Sequence, residues 1–415
     1  MSDLAEPGGR SLGVFRHRGF TVYWAGRFLT AFAAQFVSVS VGWYVYSLTR
    51  DPLDLGLVGL FQFLPFPALI FVTGPVADRF DRRWVMAICI LAQVLCVGGL
   101  LGLILAGDGR TWPIFALLVL FGTARAFFGP ASQSIIPNVV PAAELATAVA
   151  WSTSSWQVAT ILGPVAGGLL YGLAPSLPFA AAAGLMLAAV LLTMLIPAMP
   201  RAGLAPGADW RALSAGFRYI WHEKVVLGAI SLDLFAVLLG GAVALLPAYA
   251  SDILHVGPLG LGVLRAAPGI GALLMALWLA RHPIRARAGI LMFAGVAAFG
   301  FFAAVFGLST WTWLSVVALL LMGAGDMVSV YVRETLIQLW TPDHLRGRVN
   351  AVNMVFIGAS NELGAFRAGI MAAAIGVVPA VVAGGVGTVA VAWLWQRWFP
   401  QLRTISRVDR VERSA

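Results

Sequence analysis

The chain has 415 residues, of which 60% are hydrophobic and only 11% are charged. A water-soluble domain is roughly half apolar and about a quarter charged, so this composition excludes an ordinary soluble protein. The net charge of +9 alone would be compatible with binding nucleic acid. The basic residues, however, lie in loops between long apolar runs, so we expect the partner to be a lipid bilayer and not a nucleic acid.

Twelve apolar runs are long enough to cross a bilayer as helices, which takes about 20 residues each. The sequence therefore predicts an all-α membrane protein with twelve transmembrane helices. The predicted spans are 20–48, 55–77, 84–105, 113–136, 146–173, 178–196, 225–249, 259–280, 289–308, 312–339, 349–374 and 378–398.

Positive charge is distributed unequally between the two ends of these spans. Of the 27 Lys and Arg residues, 20 fall on one face and 2, Arg50 and Arg110, on the other, while 5 lie within spans. Cytoplasmic loops of membrane proteins carry such an excess, which places both termini in the cytoplasm. The first 19 residues lack the apolar core of a cleaved signal peptide, so the first span would direct insertion.

The longest internal connection divides the chain into two halves that resemble each other. Residues 1–196 and 225–415 each carry six predicted spans, and residues 197–224 form a linker that ends in an amphipathic stretch. We expect this stretch to lie in the membrane interface, with a plain cytoplasmic helix as the alternative. Pro141, Gly163 and Gly168 recur 201 residues later, and such a repeat is typical of transporters that bind substrate between their halves.

A charged loop separates the second and third predicted spans. Its pattern Gly74-x-x-x-Asp78-Arg79-x-x-Arg82-Arg83 resembles the loop signature of the major facilitator superfamily. Gly163-Pro164-Val-Ala-Gly167-Gly168 in the fifth span is similar to the antiporter motif of that superfamily. Within it, the chain looks closest to the bacterial branch that contains enterobactin and macrolide exporters. Asp81 departs from the glycine that is usual in the loop.

The resemblance implies a gating role for residues 74–83. Gly74 permits close helix approach, and Asp78 would receive the positive N-terminal end of the eleventh span. Arg79, Arg82 and Arg83 would pair with Asp81 and Glu144 and hold the cytoplasmic side shut. The alternative is that these arginines only bind lipid headgroups.

The glycines of the fifth span are spaced for close helix packing. Gly163, Gly167 and Gly168 allow backbones to approach, and Pro164 removes a helix hydrogen-bond donor. Close packing is the simplest interpretation. The resemblance adds that this helix seals the external side and is associated with export.

Charged residues inside spans are the best indication of transport chemistry, because burying one costs about 3 kcal/mol on insertion scales. Burial favours the neutral form of a carboxylate, which suits a proton carrier. The alternatives are structural ion pairs, for instance Asp233 or Asp326 with Arg125, and extension of Arg333 to the cytoplasmic interface. The candidates for coupling or for a substrate cavity are Arg125, Asp233, Asp326, Arg333, Glu334, Glu362 and Arg367.

Several chemistries have no pattern in this sequence. The single lysine, Lys224, follows Trp-His-Glu, so no phosphate-binding loop exists, and no zinc-binding spacing occurs. We therefore predict a monomeric secondary transporter of the bacterial inner membrane, not an enzyme, with no cofactor or metal. It would export a small amphipathic molecule, a siderophore or a drug, in exchange for protons. The alternatives are a lysophospholipid flippase or importer on the same fold, and a membrane-embedded enzyme or non-transporting sensor.

Overall fold

The computed structural model describes residues 12–197 and 210–405. In these ranges, regular secondary structure is entirely helical, and eleven segments are long and apolar enough to cross a membrane. The predicted all-α membrane fold is therefore confirmed. The main helices are α1 (Arg18–Thr49), α2 (Pro52–Phe63), α3 (Pro65–Arg79), α4 (Arg82–Ala106), α5 (Trp112–Gln133), α6 (Leu145–Leu173), α7 (Leu177–Met194), α8 (Trp210–His222), α9 (Lys224–Gly240), α10 (Gly257–Arg281), α11 (Ala288–Leu308), α12 (Thr312–Trp340), α13 (Asp343–Ile375) and α14 (Val377–Trp398).

The second predicted span consists of two helices. Helix α2 ends at Phe63, and α3 begins at Pro65 after the exposed Leu64. Proline lacks the backbone N–H that would continue the helical hydrogen bonds, which explains the interruption.

The seventh predicted span is a regular α-helix only as far as Gly240. Gly241 has φ −17° and ψ 21°, outside the helical region, and a 3-10 turn (Ala242–Leu245) follows. The chain continues through a short α-turn and a π-helical turn (Tyr249–Ile253). Consecutive glycines remove the steric preference for helix, so the break falls where backbone freedom is greatest.

The eleventh predicted span is α13, which has 33 residues. It is long enough to cross the membrane, but its polar residues lower its hydropathy below that of the other eleven segments. This is the helix that carries Glu362 and Arg367.

The described chain forms two compact units. One consists of residues 12–41 and 64–197, and the other of residues 42–63 and 210–405. The second unit therefore includes the hairpin formed by the end of α1, its turn and α2, although these residues precede the linker. The predicted functional division at the linker stays a prediction.

Helix α8, from the linker, docks within the second unit. A Cβ atom added to Gly216 would lie 2.8 Å from the carbonyl oxygen of Arg348, so α8 touches the start of α13. The Tyr219 hydroxyl donates to the carbonyl of Trp340, and Ile220 is buried. Part of the amphipathic stretch thus packs on protein, while the aromatic ring of Trp221 is exposed.

Candidate functional site

A buried ion pair joins α9 to α12. Nη1 of Arg333 contacts Oδ2 of Asp233, and the two residues are only 4% and 7% exposed. Asp233 lies nine residues after the start of α9, about 14 Å along its axis. Two charges at this depth must neutralise each other, because neither is solvated by water.

Three further polar residues, Asp326, Glu334 and Asn353, lie around this pair. Together with Asp233 and Arg333 they form what we call the buried polar cluster. Nη2 of Arg333 lies 3.6 Å from Oε1 of Glu334, and Nδ2 of Asn353 on α13 donates to the same oxygen at 3.2 Å. Asp326 is partly buried on α12 and interacts electrostatically with Asp233 and Arg333. The cluster therefore contains three carboxylates and one guanidinium.

The structure bears on two of the alternatives considered from the sequence. The interpretation that Arg333 extends to the cytoplasmic interface is wrong, because its side chain is buried and bound to Asp233. A structural ion pair does involve Asp233, and the partner seen in this unit is Arg333. Arg125 is exposed on α5.

Glu362 of α13 lies beside the α1–α2 hairpin. A Cβ atom added to Gly59 of α2 would be only 2.7 Å from Oε2 of Glu362, so a larger residue would displace the carboxylate. Glu362 also interacts electrostatically with Arg265 of α10. This arrangement gives Arg265, which had no role in the sequence interpretation, a charged partner.

Arg367 of α13 stabilises the break after α9. Its Nε donates to the carbonyl of Leu238 at 2.8 Å, and its Nη2 donates to the carbonyl of Leu239. In an unbroken helix these carbonyls would accept from residues four positions later, beyond Gly241. The guanidinium therefore supplies the hydrogen-bond donors that these two carbonyls lose at the break. Lipid chains have no such donors.

The gating-loop residues lie at the end of α3 and the start of α4. Gly74 and Asp78 are in the last two turns of α3, and Arg79 is its exposed last residue. The side chain of Asp78 lies outside the described part of the structure. The predicted contact between Asp78 and the eleventh span stays a prediction.

Asp81 and the two following arginines form local contacts at the start of α4. Oδ1 of Asp81 accepts from the backbone N–H of Arg83 at 3.0 Å, a helix N-cap. Nη1 of Arg82 donates to the carbonyl of Ser134 at 2.8 Å, and Nη1 of Arg83 donates to that of Ile196 at 3.2 Å. The loop is thus tied to the ends of α5 and α7 within its own unit.

The carboxylate of Glu144 contacts the imidazole of His17. Its Oε2 lies 3.3 Å from Nε2 of His17, at the start of α1. The predicted pairing of the loop arginines with Asp81 is seen at Arg83, whose Nη2 lies 3.6 Å from Oδ2 of Asp81.

The glycines of α6 contact α1. A Cβ atom added to Gly163 would lie 2.5 Å from Cβ of Gln35, and one added to Gly167 would lie 3.0 Å from Cα of Phe36. Gly168 is buried beside them, and Pro164 lies inside the helix without ending it. The predicted close packing is therefore observed within the first unit, and sealing of the external side stays a prediction.

Sequence interpretation missed a cluster at the other end of the second unit. The Tyr46 hydroxyl donates to Oδ2 of Asp252, and Nη1 of Arg50 donates to Oδ1 of Asp252 and to Oγ of Ser251, both at 2.7 Å. The signal available in the sequence was Arg50 itself, one of only two basic residues on the face that the charge distribution predicts to be external.

Comparison with known proteins agrees with this architecture. The bacterial Spinster homologue in its occupied inward-facing conformation superposes with a TM-score of 0.73 at 15% identity, covering 94% of this chain and 98% of that one. A point mutant of the nucleoside transporter NupG gives 0.72 at 16% identity, covering 92% and 100%. The fold is that of a major facilitator superfamily transporter.

The sequence comparisons define the family within that fold. The family described as transmembrane secretion effector matches residues 10–413, and the chain belongs to it. Enterobactin exporters of Shigella boydii serotype 18 and Escherichia coli O139:H28 are 28% identical over 388 residues, covering 91% of each chain. The protein is thus a multi-pass membrane transporter of small molecules and not an enzyme.

Proposed function

We propose that this protein exports a small amphipathic organic molecule, a siderophore in the first instance, in exchange for protons. The similarity to enterobactin exporters supports the cargo and the direction. The observation that supports the coupling is the cluster of three carboxylates around one buried guanidinium. Alternating access would expose this cluster and a central substrate site to each side in turn.

Asp326 is the proposed proton carrier. Arg333 neutralises Asp233, so full ionisation of the cluster leaves two negative charges without a compensating cation. An uncompensated charge in a membrane interior costs about 3 kcal/mol on insertion scales, and proton binding removes this cost. Glu334 already accepts a hydrogen bond from Asn353 and faces Arg333, which leaves Asp326 as the carboxylate without an ion pair at contact distance among the described residues.

The remaining site residues have supporting roles in this proposal. Glu362 and Arg125 would face the substrate pathway, and Arg367 would hold the broken helix that carries Asp233. Residues 74–83 would close the cytoplasmic side, with the termini on that side of a bacterial inner membrane.

The test uses purified protein in proteoliposomes with an imposed pH gradient. Uptake of enterobactin and of amphipathic dyes would be compared for the wild type, Asp326→Asn, Asp233→Asn, Glu334→Gln and Glu362→Gln. Asp108→Asn is the matched control, because Asp108 lies in a loop outside the spans.

We expect Asp326→Asn to abolish uptake against a concentration gradient while retaining exchange of cargo between equal concentrations. Hydrogen bonds from Arg110 lower the pKa of Asp108 to about 2. The control carboxylate therefore stays ionised throughout the assay. Gradient-driven uptake in every variant would refute the proton-carrier assignment, and uptake of dyes without enterobactin would indicate a drug exporter. No movement of any cargo by the wild type would refute the proposed function.

A further inference from the structure

Unusual backbone geometry is concentrated where the α1–α2 hairpin meets the chain after α9. Among the described residues, three non-glycine residues have positive φ, and two of them are Arg50 (53°) and His255 (52°). A π-helical turn, Tyr249–Ile253, ends two residues before His255 and carries Asp252, the residue that Arg50 binds. Such conformations cost free energy and persist where surrounding contacts or a function require them.

Asp252 is the centre of the contacts at this position. It accepts hydrogen bonds from the hydroxyl of Tyr46 at the end of α1 and from the guanidinium of Arg50 in the turn. Tyr46 is only 4% exposed, so its hydroxyl depends on this carboxylate for a partner. Arg50 also donates to Oγ of Ser251, and Nδ1 of His255 is 2.8 Å from the carbonyl of Ser251.

The α1–α2 hairpin packs on α13 with the two backbones in close contact. A Cβ atom added to Gly56 would lie 3.0 Å from Cα of Phe366, and one added to Gly369 would lie 2.9 Å from the carbonyl oxygen of Pro52. Backbone contact of this kind brings the two helices close together at Gly56 and Gly369. The chain after α9 also touches α13, since a Cβ atom added to Gly241 would lie 2.5 Å from the carbonyl oxygen of Gly364. The polar cluster around Asp252 therefore ties the hairpin to a segment that itself packs on α13.

We propose that Tyr46, Arg50 and Asp252 form an external clasp, which must open before the hairpin can separate from α13. The clasp rests on the proposed function, since alternating access requires an external opening. It is chemically suited to repeated opening because Arg50 and Asp252 have side chains 61% and 42% exposed, so water replaces their hydrogen bonds when they part. Exposed pairs of this kind contribute little net stability.

The test measures separation of the hairpin directly, without cargo or a proton gradient. Leu55 on α2 is 5% exposed, so a Leu55→Cys variant would react with a maleimide only when the hairpin leaves its packed position. The native Cys89 and Cys96 are 7% and 4% exposed and provide an internal measure of general unfolding. Labelling of each cysteine would be followed by mass spectrometry in lipid nanodiscs.

Asp252→Asn is expected to increase the labelling rate at residue 55 about two- to fivefold, the range for an exposed ion pair. Cys89 and Cys96 should be unaffected. Asp108→Asn is the matched control, because its pair with Arg110 has the same 2.7 Å separation but lies within one loop. Arg50→Asp should also increase labelling, and the charge-swapped Arg50→Asp/Asp252→Arg protein should return to the parent rate.

An unchanged rate in Asp252→Asn, or an equal increase in Asp108→Asn, would overturn the clasp. So would a charge-swapped protein that labels as fast as either single variant, since the role would then not depend on the pair. These readouts remain valid if the cargo or the proton coupling is assigned wrongly, so the two proposals can fail separately.

Discussion

Replacing Asp233 by Asn should destabilise the protein through the charge that it leaves behind. Arg333 is 4% exposed and would lose the carboxylate that contacts its Nη1. Removing one partner of a buried ion pair costs about 3–5 kcal/mol. Glu334, 3.6 Å from Nη2 of Arg333, compensates part of that charge, so we expect the lower end of the range. A loss of about 3 kcal/mol corresponds to a decrease in Tm of roughly 6–12 °C for a unit of this size.

Thermal unfolding in detergent would measure this effect against two controls. Asp326→Asn keeps the ion pair and should change Tm by less than about 2 °C, since Asp326 is proposed to be protonated in the resting protein and Asn is neutral as well. The double variant Asp233→Asn/Arg333→Met should recover most of the loss, because it removes the buried charge as well as its partner. Equal effects of Asp233→Asn and Asp326→Asn, or a double variant as unstable as the single one, would refute the reasoning.

Three further predictions concern the packing glycines, the helix break and the gating loop. Gly167→Leu should abolish folding or transport, because the leucine side chain would overlap the backbone of Phe36. Gly172→Leu should express and transport normally, because a Cβ atom added there has no neighbour within 4 Å. Expression level and uptake measure both effects. Arg367→Met should lower the free energy of unfolding by about 3 kcal/mol, since two hydrogen bonds from a charged donor are lost, and thermal unfolding measures it. Asp78→Asn should impair transport and leave substrate binding intact; equal loss of binding in equilibrium titrations would contradict the gating role.

The positions of the spans could be predicted because the bilayer fixes both their length and their composition. Eleven of the twelve predicted spans are found as apolar helical segments, and the remaining one, the eleventh, is the more polar helix α13. What the apolar pattern does not encode is where a helix breaks. Gly-Gly at 240–241 and Gly-Gly at 98–99 are alike in sequence, yet only the first lies at a break.

The charged candidates could be selected from the sequence, but their partners could not. Helical spacing relates Asp326 to Arg333 because both are on α12. The contact between Asp233 and Arg333 joins residues 100 positions apart, and only tertiary packing determines it. Asn353 was missed for the same reason: a single amide in a predicted span gains significance from the Glu334 carboxylate that it binds.

The sequence repeat corresponds to an equivalent helix contact in each unit. Gly163 of α6 packs on α1 at Gln35, and Gly364 of α13, 201 residues later, packs on α9 beside Val237 and Leu238. The fifth span therefore packs on the first in one half in the same way as the eleventh packs on the seventh in the other. A duplication of the six-span half predicts this.

The two halves differ at the position where that contact ends. Helix α1 continues through Ser40 to Thr49, whereas α9 breaks before Gly241, which occupies the corresponding place in the repeat. The freed carbonyls are bound by Arg367, and no acidic residue occurs in the six predicted spans of the first half. Every acidic residue within a predicted span thus belongs to the half that contains the break. A continuous α1 and a broken α9 fit the proposed division of roles, in which proton binding in the second half would act through α9 and the segment after its break on Asp252.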